Sequence, residues 1–225
     1  MAVAANRVAE ALRAAEIPEA RRGTSRVSQL SRPERAFYFW ILRQFAAAAP
    51  PSAEATSAAA VALDLDPGEA LAVLARDDLV HADSNGQPTV AYPFSANERG
   101  HNVLIDGMHE VQAMCAIDAL GIAPMLNLPT TIVAHDLISG TEIRVQVDPD
   151  LEATWQPQGA VVLAGSTSCD GPSFRGCCDV LNFFETQENA ERYLRDHPEI
   201  TGAPISISVA IEAGRVVFGD LLKEN

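Results

Sequence analysis

The sequence changes texture near residue 100, and this change restricts the fold more than any other feature. Before it, Ala-rich stretches carry apolar residues at helical spacing. After it, short alternating or β-branched runs dominate, and Val103–Ile105, Thr130–Ala134, Glu142–Val147, Ala160–Leu163, Val180–Phe184 and Ile205–Ile211 are expected strands. A period of 3.6 buries one stripe of a helix and a period of 2 buries one face of a sheet, so a chain with both cannot be a pure bundle or a pure sandwich. Two helices are expected among the strands, one over about Ala113–Met125 and one after Thr186, a suitable N-cap, running to His197-Pro198. The expected class is α+β: an N-terminal helical lobe followed by an α+β domain with a mixed or antiparallel sheet.

Residues 1–24 read as an arm, a short Ala-rich helical pattern followed by a flexible polar connection, Arg21-Arg22-Gly23-Thr24-Ser25. Residues 25–98 form the helical lobe. Ser31 and Glu34 make a capping box with Pro33 in the first turn, and Phe37, Trp40, Ile41 and Phe45 then recur as a core-facing stripe. Ser52 opens a second helix to about Leu65, and Asp66-Pro67-Gly68-Glu69 starts a third. From Leu79 to Tyr92, two extended runs flank Asn85-Gly86, a favoured hairpin turn. Three helices and a hairpin in this order are the plan of a winged helix-turn-helix.

Charge argues against the DNA-binding use of that plan. Residues 25–98 carry five Arg, no Lys and nine Asp or Glu, and the whole chain of 225 residues has 16 basic against 30 acidic residues, a formal charge of -14. Such a surface repels phosphate backbones and anionic lipid, so the lobe reads as structural, with neither nucleic acid nor membrane as a partner. The start mixes Arg and Glu where a signal peptide needs an apolar run, and a cytoplasmic protein is expected. Its four cysteines, Cys115, Cys169, Cys177 and Cys178, are then expected to be reduced.

Chemistry concentrates in residues 99–225. Cys115 and Asp118 stand three apart in Met114-Cys115-Ala116-Ile117-Asp118-Ala119-Leu120, which on a helix brings both side chains to one face. Unpaired amides of a first turn favour a thiolate there, while the Asp118 charge opposes it. Cys115 alone could be a small core hydrophobe, but a carboxylate among Ile117, Leu120, Ile122 and Met125 is costly to bury without a partner. A structural zinc site is disfavoured because the cysteines lack paired knuckle spacing and His81, His101, His109, His135 and His197 form no metal-spaced motif. Adjacent cysteines on a strand would also point to opposite faces, so only one of Cys177 and Cys178 could face a site.

The segments MCAIDALGIAP and, about 60 residues later, GCCDVLNFF resemble the two signature segments of the organomercurial (alkylmercury) lyase family, a Cys-Ala-(Leu/Ile)-Asp-(Thr/Ala)-Leu helix and a Cys-x-x-x-(Asn/His)-Phe-Phe strand. That family also places a winged-helix-like lobe before its catalytic domain. The resemblance implies that Cys115 and Asp118 are catalytic, and counting back from Phe183-Phe184 puts the second cysteine at Cys178, with Cys177 as the fallback. It implies protonolysis of a carbon–mercury bond to a hydrocarbon and Hg(II). The metal would be held by these cysteines and Asp118 and removed by external thiols or another mercuric-ion acceptor, with no organic cofactor. Met114 stands where several members have an aromatic residue, and Asp136 lies where members often have a further cysteine. Cys169, in a polar loop-like stretch, either ferries metal or sits on the surface, and Arg175-Gly176 just before the pair could bend the chain and attract a thiolate. The alternatives are a cysteine-based sensor of soft metals or metalloids and a relative acting on another organometal.

Overall fold

A computed structural model of the chain describes residues 2–17, 19, 23–47, 49–167, 177–219 and 221–222. Helix α1 (Ala2–Ala14) is followed by the short α2 (Gly23–Val27), α3 (Arg32–Ala46), α4 (Ala53–Val61) and α5 (Pro67–Arg76). The caps lie where the sequence puts them. Ser31 accepts from the Glu34 N–H while Glu34 accepts from the Ser31 N–H, Ser52 accepts from the Ala55 N–H, and Asp66 accepts from the Glu69 N–H. Each satisfies amides that a helix start leaves unpaired. On α3 the buried stripe is Phe37, Tyr38, Ile41, Leu42 and Phe45, with Trp40 only half-buried.

The hairpin pairs β1 (Val80–Ala82) with β2 (Pro88–Ala91). Its turn differs from the two-residue form expected, because Gly86 has a positive φ of 83° but Asn85 does not, and the Asp83 carboxylate holds the Asn85 and Gln87 amides. The hairpin does not stand apart. Through β3 (Phe94–Ser95) it continues into β5 (His109–Ala113), β4 (His101–Ile105), β6 (Thr130–His135), β7 (Glu142–Val147) and β8 (Ala153–Gln156), an eight-stranded sheet in the order β1-β2-β3-β5-β4-β6-β7-β8. A second sheet orders β10 (Phe183–Phe184), β9 (Val161–Ser166) and β11 (Thr201–Ser206) as β10-β9-β11. Among the described residues every strand pair is antiparallel. One rung of the large sheet runs Val111–Val103–Ile132–Val145–Trp155, and its first four members are buried. Alternation in those strands thus becomes one face on a common core.

Helix α6 (Ala116–Leu126) packs against β4, β5 and β6 and against α9 (Ile207–Phe218). Residues Ala116 to Met125 are all buried, so this is a central helix, apolar on every side except at Asp118. Glycines set its approach to α9. A Cβ on Gly214 would lie 2.8 Å from the Gly121 nitrogen and 2.9 Å from the Ile117 oxygen.

Two expected strands are corrected. Ile205–Ile211 divides at Ser206: β11 ends there, the Ser206 hydroxyl accepts from the Val209 N–H, and Ile207, Ala210, Ile211, Gly214, Val217 and Phe218 bury one stripe of α9. The β-branched run hid both the cap and the helical period. Val180–Phe184 also divides, with only Phe183-Phe184 paired to β9, while Val180 ends the four-residue α7 (Cys177–Val180). The Gly23 to Ser25 part of the expected flexible connection lies in α2, whereas Arg21 and Arg22 fall outside the described residues. Helix α8 (Gln187–Asp196) follows Thr186, which accepts from the Asn189 N–H as expected. No helix among the described residues is long and apolar enough to cross a membrane.

Candidate mercury site

Cys115 sits where β5 gives way to α6. It is the N-cap of that helix, in extended conformation (φ -158°, ψ 177°), and its Sγ accepts from the Asp118 N–H at 3.4 Å. The expected spacing therefore holds in a particular form: the thiol is the cap and the carboxyl belongs to the first turn. The Ala116 N–H donates to the Leu181 carbonyl at 2.8 Å, tying the start of α6 to the segment after α7. That tie brings the second cysteine in. Cys178 Sγ lies 4.0 Å from Asp118 Oδ2, and the ligand atoms of Cys115, Asp118 and Cys178 all lie within 4.8 Å of one another, every residue buried.

Among the described residues this is the sole group of three or more such side chains able to hold a metal. His81 pairs with Asp78 at 2.7 Å, while His101 and His197 face the backbone carbonyls of Arg99 and Tyr193. The cysteine pair lies in a short helix, so the strand-face alternation does not govern it. Cys178 turns toward Asp118; the Cys177 side chain, together with Cys169, Arg175 and Gly176, lies outside the described residues.

Burial dominates the electrostatics. It pushes the Asp118 carboxyl up to about 7, against the hydrogen bond with Cys115 and the positive charges of Arg26 and Arg99. Burial likewise drives the Cys115 thiol well above its ordinary value, aided by the Cys178 hydrogen bond and the Asp118 charge. For Cys178 the hydrogen bond with Cys115 favours the thiolate, but burial and the Asp118 charge outweigh it and the thiol is raised. Near neutral pH the cluster thus holds two thiol protons beside a carboxyl poised to take or give one.

A cavity of about 50 Å³ opens on the cluster, enough for a few atoms of water size. Its apolar wall includes Ala15, Ile17, Leu181, Val217 and Phe218, and its polar wall Glu16, Arg26, Tyr38 and Tyr92. Arg26 reaches it from α2, donating to the Asp78 carbonyl at 2.6 Å and pairing with the Asp78 carboxylate at 3.5 Å. The Tyr38 hydroxyl donates to the Tyr92 carbonyl at 3.1 Å. Sequence reasoning missed Arg26, Tyr38 and Tyr92 as part of the site, since nothing local marks residues that reach a cavity from more than 20 positions before Cys115. It also missed Arg99, which forms an ion pair with Asp179 beside Cys178.

Met114 and Asp136 fill structural places. Met114 is buried and its N–H donates to the Pro93 carbonyl. Asp136 is 2% exposed and accepts from the Ile138, Ser139 and Glu185 amides and from Asn189 Nδ2 at 2.7–3.0 Å. Burial opposes its charge, but these donors outweigh burial and hold its carboxyl below the usual carboxylate range.

Comparison with known proteins gives the family and the fold. The chain is 26% identical over 163 residues to an alkylmercury lyase of Streptomyces lividans, covering 72% of this chain and 74% of that one. It is 31% identical over 118 residues to an alkylmercury lyase of Bacillus cereus, covering 52% of each. A crystal structure described as the mercury-bound form of MerB2 superposes with a TM-score of 0.72 at 17% identity, over 95% of this chain and 99% of that one, and so shares the fold. The family model for alkylmercury lyase matches residues 94–219, which include both cysteine segments, and the chain belongs to the alkylmercury lyase family.

Proposed function

We propose that the protein cleaves carbon–mercury bonds by protonolysis, with Cys115 and Cys178 as mercury ligands and Asp118 as the proton carrier. The observation that carries this reading is the buried cluster itself: two thiols and a carboxyl raised to about 7 on one small cavity. Mercury is soft and prefers thiolate. Cys115 passes its proton to Asp118 and binds the metal, displacing the substrate's other ligand X. Cys178 adds the second thiolate, its proton leaving with X as HX, and the electron density on mercury makes the bound carbon easier to protonate. Asp118 then delivers its proton to that carbon. The balance is R–Hg–X plus two thiols giving R–H, Hg(II) bound by two thiolates, and HX. The chain's own groups supply ligands and proton, so the reaction closes without an organic cofactor. Two external thiols, or another mercuric-ion acceptor, would remove Hg(II) and return the protons, which suits the reducing cytoplasm.

Residues 25–98 act here as a winged-helix-like structural lobe and 99–225 as the catalytic domain, with residues 1–24 as an arm. Arg26, Tyr38, Leu79 and Tyr92 of that lobe line the cavity, a use that needs no nucleic acid. The test is incubation with alkyl and aryl organomercurials in excess thiol, with hydrocarbon release followed. Release is expected from the wild type, to be abolished in Cys115→Ser, Cys178→Ser and Asp118→Ala and kept in Cys177→Ser. Release lost in Cys177→Ser but kept in Cys178→Ser moves the second ligand by one residue. Tight Hg(II) binding without release supports a soft-metal sensor instead.

A further inference from the structure

We propose that Arg99 is a positioning residue of this site: its ion pair with Asp179 holds Cys178 in register with Cys115 and Asp118. The inference rests on the lyase reading for its turnover measurement and on Hg(II) retention otherwise. Helix α7 has four residues, too few to sustain itself, so the direction of Cys178 depends on tethers to the rest of the fold. At its far end, the Leu181 carbonyl is held by the Ala116 N–H, and Asn182 Nδ2 donates to the Asp179 carbonyl at 2.7 Å. On the side chain next to Cys178, the tether is the Arg99 guanidinium, 80 positions away in sequence.

Arg99 is itself fixed. Its N–H donates to Gln112 Oε1 at 3.2 Å, and its carbonyl faces Nδ1 of the buried His101 at 3.0 Å. Its backbone is thereby fastened beside β4 and to Gln112 of β5, the strand that leads into Cys115. The geometry links the two mercury ligands through Cys115–β5–Gln112–Arg99–Asp179–Cys178. The Asp179 side chain is 57% exposed, and an ion pair so exposed contributes little to global stability. Its loss should be felt in Cys178 placement rather than in folding. Because Cys178 adds to mercury already held by Cys115, misplacing it should lower kcat more than it raises KM.

The experiment is a double-mutant cycle with Arg99→Gln, Asp179→Asn and both together, plus Arg99→Lys. Melting temperature, kcat and KM on an organomercurial, and retention of Hg(II) against a competing dithiol by thiolate–mercury ultraviolet absorption are measured for each. Each single change is expected to lower kcat by about tenfold to a hundredfold and to weaken Hg(II) retention, with melting temperature and KM nearly unchanged. The double variant should be no worse than either single one, and Arg99→Lys should recover part of the loss. Additive losses, unchanged Hg(II) retention, or a fall in melting temperature that accounts for the lost activity would each overturn the proposal. If the wild type retains Hg(II) but releases no hydrocarbon, the lyase reading falls while retention still decides the role of Arg99. If it does not retain Hg(II), both fall.

Discussion

The Cys115 thiol accepts a hydrogen bond from the backbone of Asp118, the residue whose carboxyl it also faces. One atom thus serves as helix cap and proposed metal ligand. Serine is a better cap than cysteine. Cys115→Ser is therefore expected to fold with stability equal to the wild type or higher by about 0.5–1 kcal/mol, while carbon–mercury cleavage is lost. Thermal melting and hydrocarbon release on one preparation check both halves; a variant that unfolds would assign Cys115 a packing role.

Asp118 gives the protein a pH-dependent weakness. The native state holds its proton up to about pH 7, whereas an unfolded chain releases it at about pH 4. Between these values the native state binds more protons, so this group's effect is a stability that falls as pH rises through the window and levels off above it. Asp118→Asn is expected to remove that slope and to stabilise the protein at about pH 8 by a few kcal/mol, at most about 4. Denaturant unfolding at several pH values reads this directly, and identical slopes in the two proteins would refute it.

Asp136 should behave in the opposite sense. Its carboxyl is held low by four donors, so its stabilisation is present above the unfolded value and is lost as pH falls through the native one. Asp136→Ala leaves those donors unpaired and is expected to cost about 2–4 kcal/mol. The Cys115–Asp118–Cys178 chemistry of the folded fraction should persist, which activity measured well below the melting temperature can establish.

Gly214→Ala tests the contact that seats α6. The added Cβ would meet the Gly121 nitrogen and Ile117 oxygen at under 3.0 Å, and backbone cannot step aside as a side-chain end can. A destabilisation of about 1–3 kcal/mol is expected, with some loss of activity because Val217 and Phe218 on the same helix line the cavity. Equal melting temperatures for variant and wild type would show that the helices separate freely.

Much of this was legible in the sequence because it is local. Ser31, Ser52, Asp66 and Thr186 announce helix starts through their own side chains, and the Cys115–Asp118 spacing needs only one turn. What stayed hidden depends on distant partners or on mixed signals. In 201–218 the same β-branched residues serve a strand and then a helix, and only the Ser206 cap marks the change. The Cys178 segment reads as a strand by composition, yet β9 provides partners only for Phe183 and Phe184. Nothing local distinguishes Arg26 and Arg99, since their partners Asp78 and Asp179 lie 52 and 80 positions away.

The joining of the hairpin to the large sheet carries a consequence for how such a chain can be shortened. Strand β3 lies against β5, and β5 leads into Cys115. A fragment beginning after residue 98 would keep both cysteines and the carboxyl but leave β5 as a bare edge, with unpaired amides and carbonyls ready to template onto a neighbouring molecule. It would also open the cavity where Arg26, Tyr38, Leu79 and Tyr92 now stand. Such a fragment is expected to aggregate, and residues before 99 are in that sense the cover over the edge that leads into Cys115.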